Sequence, residues 1–158
     1  MDAEELFTGI ISENLDERHA AVEKIAAAYQ TEPDAVFAAA LSALRSGDLN
    51  SRWYIGRALI KMGEGVIPRL ISAAESETDM NVQKYFGAVL AAFGARAVAA
   101  LISLFASENA AARGMAGAAL EKIGEPALDA LLSAAHAENP TVRTCAGIVL
   151  MKLGVYEY

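Results

Sequence analysis

The sequence predicts an all-α fold, a solenoid of stacked antiparallel helix hairpins, and three observations carry that expectation. Glycines at 56, 87, 117 and 147 form a column spaced 31, 30 and 30 residues apart. A second column, Gly63, Gly94, Gly124 and Gly154, keeps the same spacing seven residues further on. Each unit also opens with Asp or Asn and continues with apolar residues at helical spacing. Columns in step over about a hundred residues mean one supersecondary unit repeated along the chain.

The elements follow in order. Residues 1–13 form an N-terminal cap, with Leu6, Phe7, Ile10 and Ile11 facing inward; Gly9 stands alone there without a signal. Repeats then run over 14–47, 48–78, 79–108 and 109–138, and a half repeat over 139–158 completes a single domain. Asn14, Asp48, Asp79, Asn109 and Asn139 open the first helix of each unit. Their side chains accept hydrogen bonds from the free N–H groups of a helix start, and Pro140 sits where a missing N–H costs nothing. Within the first helices, Ala112, Ala116, Leu120 and Ile123 share one face, as do Val142, Ala146, Leu150 and Leu153.

Glycine inside a helix costs on the order of 1 kcal/mol relative to alanine, so the first column implies close packing against a neighbouring helix. The second column ends each first helix. Second helices follow after a few residues, with Val66, Ile67, Leu70, Ile71 and Ala74 inward and Pro68, Arg69, Ser72 and Glu75 outward. Pro33, Pro68 and Pro126 fit first turns of such helices. The first repeat is longer, because residues 30–33 extend its inter-helix loop.

The pattern Val/Ala-Arg-x-x-Ala-Gly-x-x-Leu-x-x-Ile/Leu-Gly, fullest from Ala112 to Gly124 and from Val142 to Gly154, resembles the HEAT-like repeats of the phycobilisome-lyase type. The resemblance covers the chain from about residue 14 and implies a right-handed superhelix, first helices convex and second helices concave. It also implies a ladder between the opening Asp or Asn and the Arg four residues on, at Asp48/Arg52, Asn109/Arg113 and Asn139/Arg143. Gln83 interrupts that ladder in the third unit. The pattern is one of packing and carries no catalytic residue across.

Composition bounds the function. The net charge is −7 and the pI about 4.8, which excludes an electrostatic footprint for nucleic acid or an anionic membrane. Residues 1–47 hold nine acids and three bases, and this acidic end either steers a basic partner or serves solubility. The single Cys145 and the absence of a basic-then-apolar N-terminus suit a cytoplasmic protein.

No catalytic constellation, cofactor motif or metal-ligand spacing is expected. His19 and His136 lie in different units, Cys145 occupies the packing column of Tyr54, Tyr85 and Met115, and the glycines never form a phosphate-binding loop. The reading is therefore a non-enzymatic scaffold or adaptor for another protein. Its concave row is Ser42, Arg45, Arg69, Ser72, Ser103, Asp129, Ser133 and His136, with Arg69 best suited to orient an acidic group. The convex alternative is Trp53 with Tyr54 and Tyr85; packing of Trp53 beneath the 30–33 loop is the competing expectation. The resemblance alone implies the other function, an accessory or subunit of a bilin lyase or turnover system. A homodimer through the C-terminal face of Leu150 and Leu153 is a further possibility.

Overall fold

A computed structural model describes residues 2–158. They divide into two compact units, one ending at Val66 and one beginning at Ile67. Each is a stack of antiparallel helix hairpins, so the fold class is the all-α, HEAT-like solenoid.

In the first unit, α1 (Ala3–Leu6) passes into a 3₁₀ segment, Phe7–Ile11, followed by α2 (Leu15–Tyr29), α3 (Pro33–Ser46) and α4 (Leu49–Lys61). Asn14 accepts hydrogen bonds from the N–H groups of Asp16 and Glu17, and Asp48 from that of Ser51. The 3₁₀ segment corrects one expectation. With three residues per turn, Phe7 and Ile10 share the buried face and Ile11 is carried away from it, 68% exposed. Gly9 proves structural: a Cβ there would stand 2.8 Å from the Cβ of Ala21, so glycine lets this segment lie directly on α2. Ile10, Ile25, Val36, Leu44, Ile55 and Leu59 supply the core of the unit.

The second unit takes in most of α5 (Val66–Ser76), then α6 (Met80–Ala92), α7 (Val98–Ser103), α8 (Ala110–Ile123), α9 (Leu128–Ala134) and α10 (Pro140–Lys152). Its later second helices are shorter than helical periodicity suggests. α7 is flanked by 3₁₀ turns at Gly94–Ala97 and Leu104–Ala106, and α9 is preceded by one at Glu125–Ala127. No side chain caps the starts of α7 and α9, and tighter i→i+3 bonding accommodates the unpaired backbone groups there. Phe86, Leu90, Leu101, Phe105, Leu120 and Leu131 form the core.

Both glycine columns have a physical cause. Gly63, Gly94, Gly124 and Gly154 all have positive φ, between 61° and 91°, and end the first helices in the left-handed region. In the other column, a Cβ on Gly87 would meet Met115 Cγ at 3.0 Å, and one on Gly117 would meet Val149 Cγ2 at 3.4 Å. Each thus receives a side chain from the next first helix. At Gly147 the neighbour is Tyr158, whose hydroxyl would lie 2.8 Å from an added Cβ.

The recurring rung of each repeat is a tie between consecutive hairpins. Arg52 Nε donates to the Leu44 carbonyl at 3.0 Å, Arg113 Nη1 to that of Ser107 at 2.7 Å, and Arg143 Nη1 to those of Ala137 and Glu138 at 2.8 Å each. Arg18 reaches the Ser12 carbonyl in the same way. Gln83 does not interrupt the series: its Nε2 donates to the carbonyls of Ala74 at 2.7 Å and Glu77 at 2.9 Å. Asn109 Nδ2 reinforces that end of α5, donating to Ala74, Glu75 and Glu77 at 2.9–3.2 Å.

Candidate binding groove between two first helices

α6 packs more extensively on α8 than any other pair of elements in its unit, yet their outer seam is open. The residues that face each other near solvent are small: Ala88 on α6, and Ala111, Gly114 and Ala118 on α8. Gly87 admits the Met115 side chain beneath them. What remains is an apolar groove of about 400 Å³, floored by Met115 and Ala119, with Met80 at one end. That volume lies within the range of ligand-binding clefts.

Two cations rim this groove, Lys84 on α6 and Lys122 on α8; both are exposed, and neither forms an ion pair among the described residues. Lys84 occupies the repeat position of Gly114, eight residues before Lys122. A rise of 1.5 Å per residue sets the two about 12 Å apart along the helix direction.

Gln83 also lines the groove and is only 1% exposed. Its nitrogen is held by the α5 carbonyls, but its Oε1 has no hydrogen-bond partner. The other rungs are arginines, which carry donors alone and leave no acceptor behind. Gln83 is therefore the one rung that brings an unused acceptor into the interior. A buried polar atom left unpaired costs about 1–3 kcal/mol, so its presence asks for a reason.

The equivalent seam in the first unit, between α2 and α4, is narrowed and bridged by polar side chains. Tyr54 fills it, only 9% exposed, with the Arg18 guanidinium 5.4 Å from its ring and the His19 ring edge-on at 5.6 Å. Lys61 forms an ion pair with Glu23 across the seam. A smaller cavity of about 230 Å³ remains, bordered by these same polar side chains.

In the first unit, α3 presents Ser42 and Arg45 to solvent. In the second, Ser72, Ser103, Asp129, Ser133 and His136 are exposed, and Arg69 is half-buried. The Ser103 hydroxyl is turned back to the Ala100 carbonyl, and the His136 ring meets Tyr158 edge-on at 6.1 Å. Trp53 is 55% exposed, packed against Tyr54 at 4.8 Å with Arg57 over its ring. The 30–33 loop does not cover it, because Gln30 reaches the Met62 carbonyl at the opposite end of α4. Tyr54 is corrected from a surface contact to a packing residue, and Tyr85 is half-buried in the other unit. Cys145 is a free, half-buried thiol. Among the described residues, no group of three or more His, Cys, Asp or Glu could hold a metal ion, and no helix is long and apolar enough to cross a membrane.

The groove is not among the surfaces that the sequence predicts. Its signal lay in Ala88, Gly114 and Ala118, small residues at outward positions where the first unit has Glu23, Trp53 and Arg57 or their neighbours.

The family described as HEAT repeats matches residues 67–151, more than half of the chain. No curated protein matches. A solved structure described as an engineered protein aligns over 96% of this chain and 81% of that one, at 17% identity and a TM-score of 0.36.

Proposed function

Because the chain belongs to the HEAT-repeat family, we propose that it is a non-enzymatic scaffold that binds a segment of another protein. One observation carries this reading: the apolar groove between α6 and α8, opened by small residues and rimmed by unpaired lysines. Repeat arrays offer extended, rigid surfaces of this kind, so a partner is bound without reorganising the scaffold. The outward row of second helices, from Ser72 and Arg69 to Ser133 and His136, offers a second face for the same role.

The test is affinity capture from a source lysate with three forms of the protein. Gly114→Phe fills the groove from an exposed position where an added Cβ meets nothing within 4 Å. Ser103→Glu combined with Ser133→Glu alters the second-helix row instead. A partner kept by the row variant and lost by Gly114→Phe supports binding at the groove. The reverse pattern moves binding to the row. Retention of nothing by the wild type counts against a scaffold.

The finer resemblance to phycobilisome-lyase repeats supports a second reading, an accessory in bilin attachment or turnover. Co-expression with a bilin source decides it. A chromophore retained through purification favours that role, and a colourless protein removes it.

A further inference from the structure

From the comparison of the two seams we infer that the α6/α8 groove receives an acidic peptide segment, two carboxylates about 12 Å apart flanking an apolar side chain. The inference rests on the scaffold reading and names the chemistry of its partner.

Repeat register carries the argument. His19, Val22, Glu23, Tyr54, Arg57 and Lys61 of the first seam correspond to Lys84, Gly87, Ala88, Met115, Ala118 and Lys122 of the second. In the first seam, the lysine near the end of the later helix finds Glu23 across the gap. The lysine at the same repeat position in α10, Lys152, finds Glu121 at 4.0 Å. Lys122 alone of the three has no acid across its seam: α6 carries Ala88 at the position of Glu23 and Ala91 at the position of Glu121. Tyr54, which fills the first seam, is replaced by a flexible methionine, and Arg57 by Ala118. The second seam thus lacks both its acid and its filler. A partner that supplies both completes it.

Two features fit a peptide in particular. Carboxylates eight residues apart on a helix, or about four apart in an extended chain, match the separation of Lys84 and Lys122. The Oε1 of Gln83, buried beside the groove without a partner, is an acceptor for a peptide amide N–H or hydroxyl that enters as the adjoining Met80 and Met115 side chains shift. Met80 and Met115 line the same space, and unbranched thioether side chains shift readily to admit an incoming group.

The experiment is selection from a random peptide library displayed on phage, with the intact chain as bait. Enriched peptides are synthesised with fluorescein and titrated by anisotropy against four proteins: wild type, Lys84→Glu/Lys122→Glu, Ala88→Glu and Gly114→Phe. Ala88→Glu supplies the missing acid internally and changes only an exposed position. The expected result is acidic peptides whose affinity falls about tenfold or more in all three variants and weakens with added salt. Circular dichroism melts confirm that the variants remain folded. Neutral or basic peptides that still require an open groove overturn the acidic partner and leave the scaffold reading standing. Peptides indifferent to Gly114→Phe, or none at all, overturn both. Concentration-dependent self-association abolished by Ala88→Glu would instead assign the groove to acidic residues of a second copy. Binding of dodecanoate with no peptide enriched would assign it to a small anionic amphiphile.

Discussion

The seam between α2 and α4 and the seam between α6 and α8 are the same place in the repeat, built to opposite ends. One is narrowed by Tyr54, Arg18, His19 and the Lys61–Glu23 pair, leaving only a smaller, polar-bordered cavity. The other keeps its lysine, drops the acid and substitutes small or flexible residues for the bulky ones. The core columns beneath both are equally apolar and equally buried: Ile25 and Leu59 in the first unit, Leu90 and Leu120 in the second. A repeat can therefore keep its packing code and vary its outer seam independently. Stability is written in the inward columns, and recognition in the outward ones.

The largest test of that separation is in the core. If the open seam is purely a surface property, Phe86→Ala will cost about 3–5 kcal/mol, as expected for a fully buried ring. Chemical denaturation measures it, and a loss under about 1 kcal/mol would mean that the second unit is loosely packed and the comparison fails. Next comes a pair of glycines of opposite sign. Gly124, at φ 75° and ψ −129°, occupies backbone space that disfavours side chains, so Gly124→Ala will destabilise by about 1–3 kcal/mol. Gly114→Ala, in a regular exposed helix with open space at the Cβ, will stabilise by about 1 kcal/mol. Equal effects would show that the groove glycine has a conformational role.

Gln83→Arg sharpens the comparison at the rung. It restores the side chain found at the other four rungs and removes the unpaired acceptor, for an expected gain of about 1 kcal/mol with weaker partner binding. A thermal melt and the peptide titration together read both effects; a gain without loss of binding would detach Gln83 from the groove. The smallest effect is a pH dependence in the first unit. The Asp48 carboxyl is held below its ordinary value, first by the Ser51 N–H, then by the Ser51 hydroxyl, and more weakly by the Arg18 charge. A depressed carboxylate contributes stability that is present above the ordinary aspartate value and lost as the pH falls through the folded value. Asp48→Asn will therefore melt below the wild type at pH 7, and the two will converge below about pH 4.

Much of this architecture is legible in the sequence, because the features that fix it are local. Asn109 and Asn139 act on N–H groups two and three residues away, and Gly63 and Gly94 act through their own φ. Helical periodicity places Leu70 and Leu120 inside and Ser72 outside without any tertiary information. What periodicity misreads are the places where the backbone leaves the α-helix. The 3₁₀ segment turns Ile11 outward, and the 3₁₀ turns shorten α7 and α9.

The groove lies beyond local reading for a different reason. Ala88 and Gly114 look like ordinary alanine-rich helix until it is known that they face each other across one seam. Only then does the absence of a counterpart to Glu23 acquire meaning. Gln83 escapes local reading for a related reason: an amide at an arginine position resembles a break, but the rung needs only donors, and Nε2 supplies them.

The three hydrogen bonds from Asn109 to the end of α5 reach back more than thirty residues, past an entire hairpin. The last turn of α5 consequently cannot fray as an isolated helix end. Gln83 on α6 holds the Ala74 and Glu77 carbonyls as well, so they are released only when both Gln83 and the start of α8 let go, and the end of α5 and the start of α8 open as one cooperative unit. In native-state hydrogen exchange, amides near the end of α5 and in the first turn of α8 should share one opening free energy, and Asn109→Ala should lower both together.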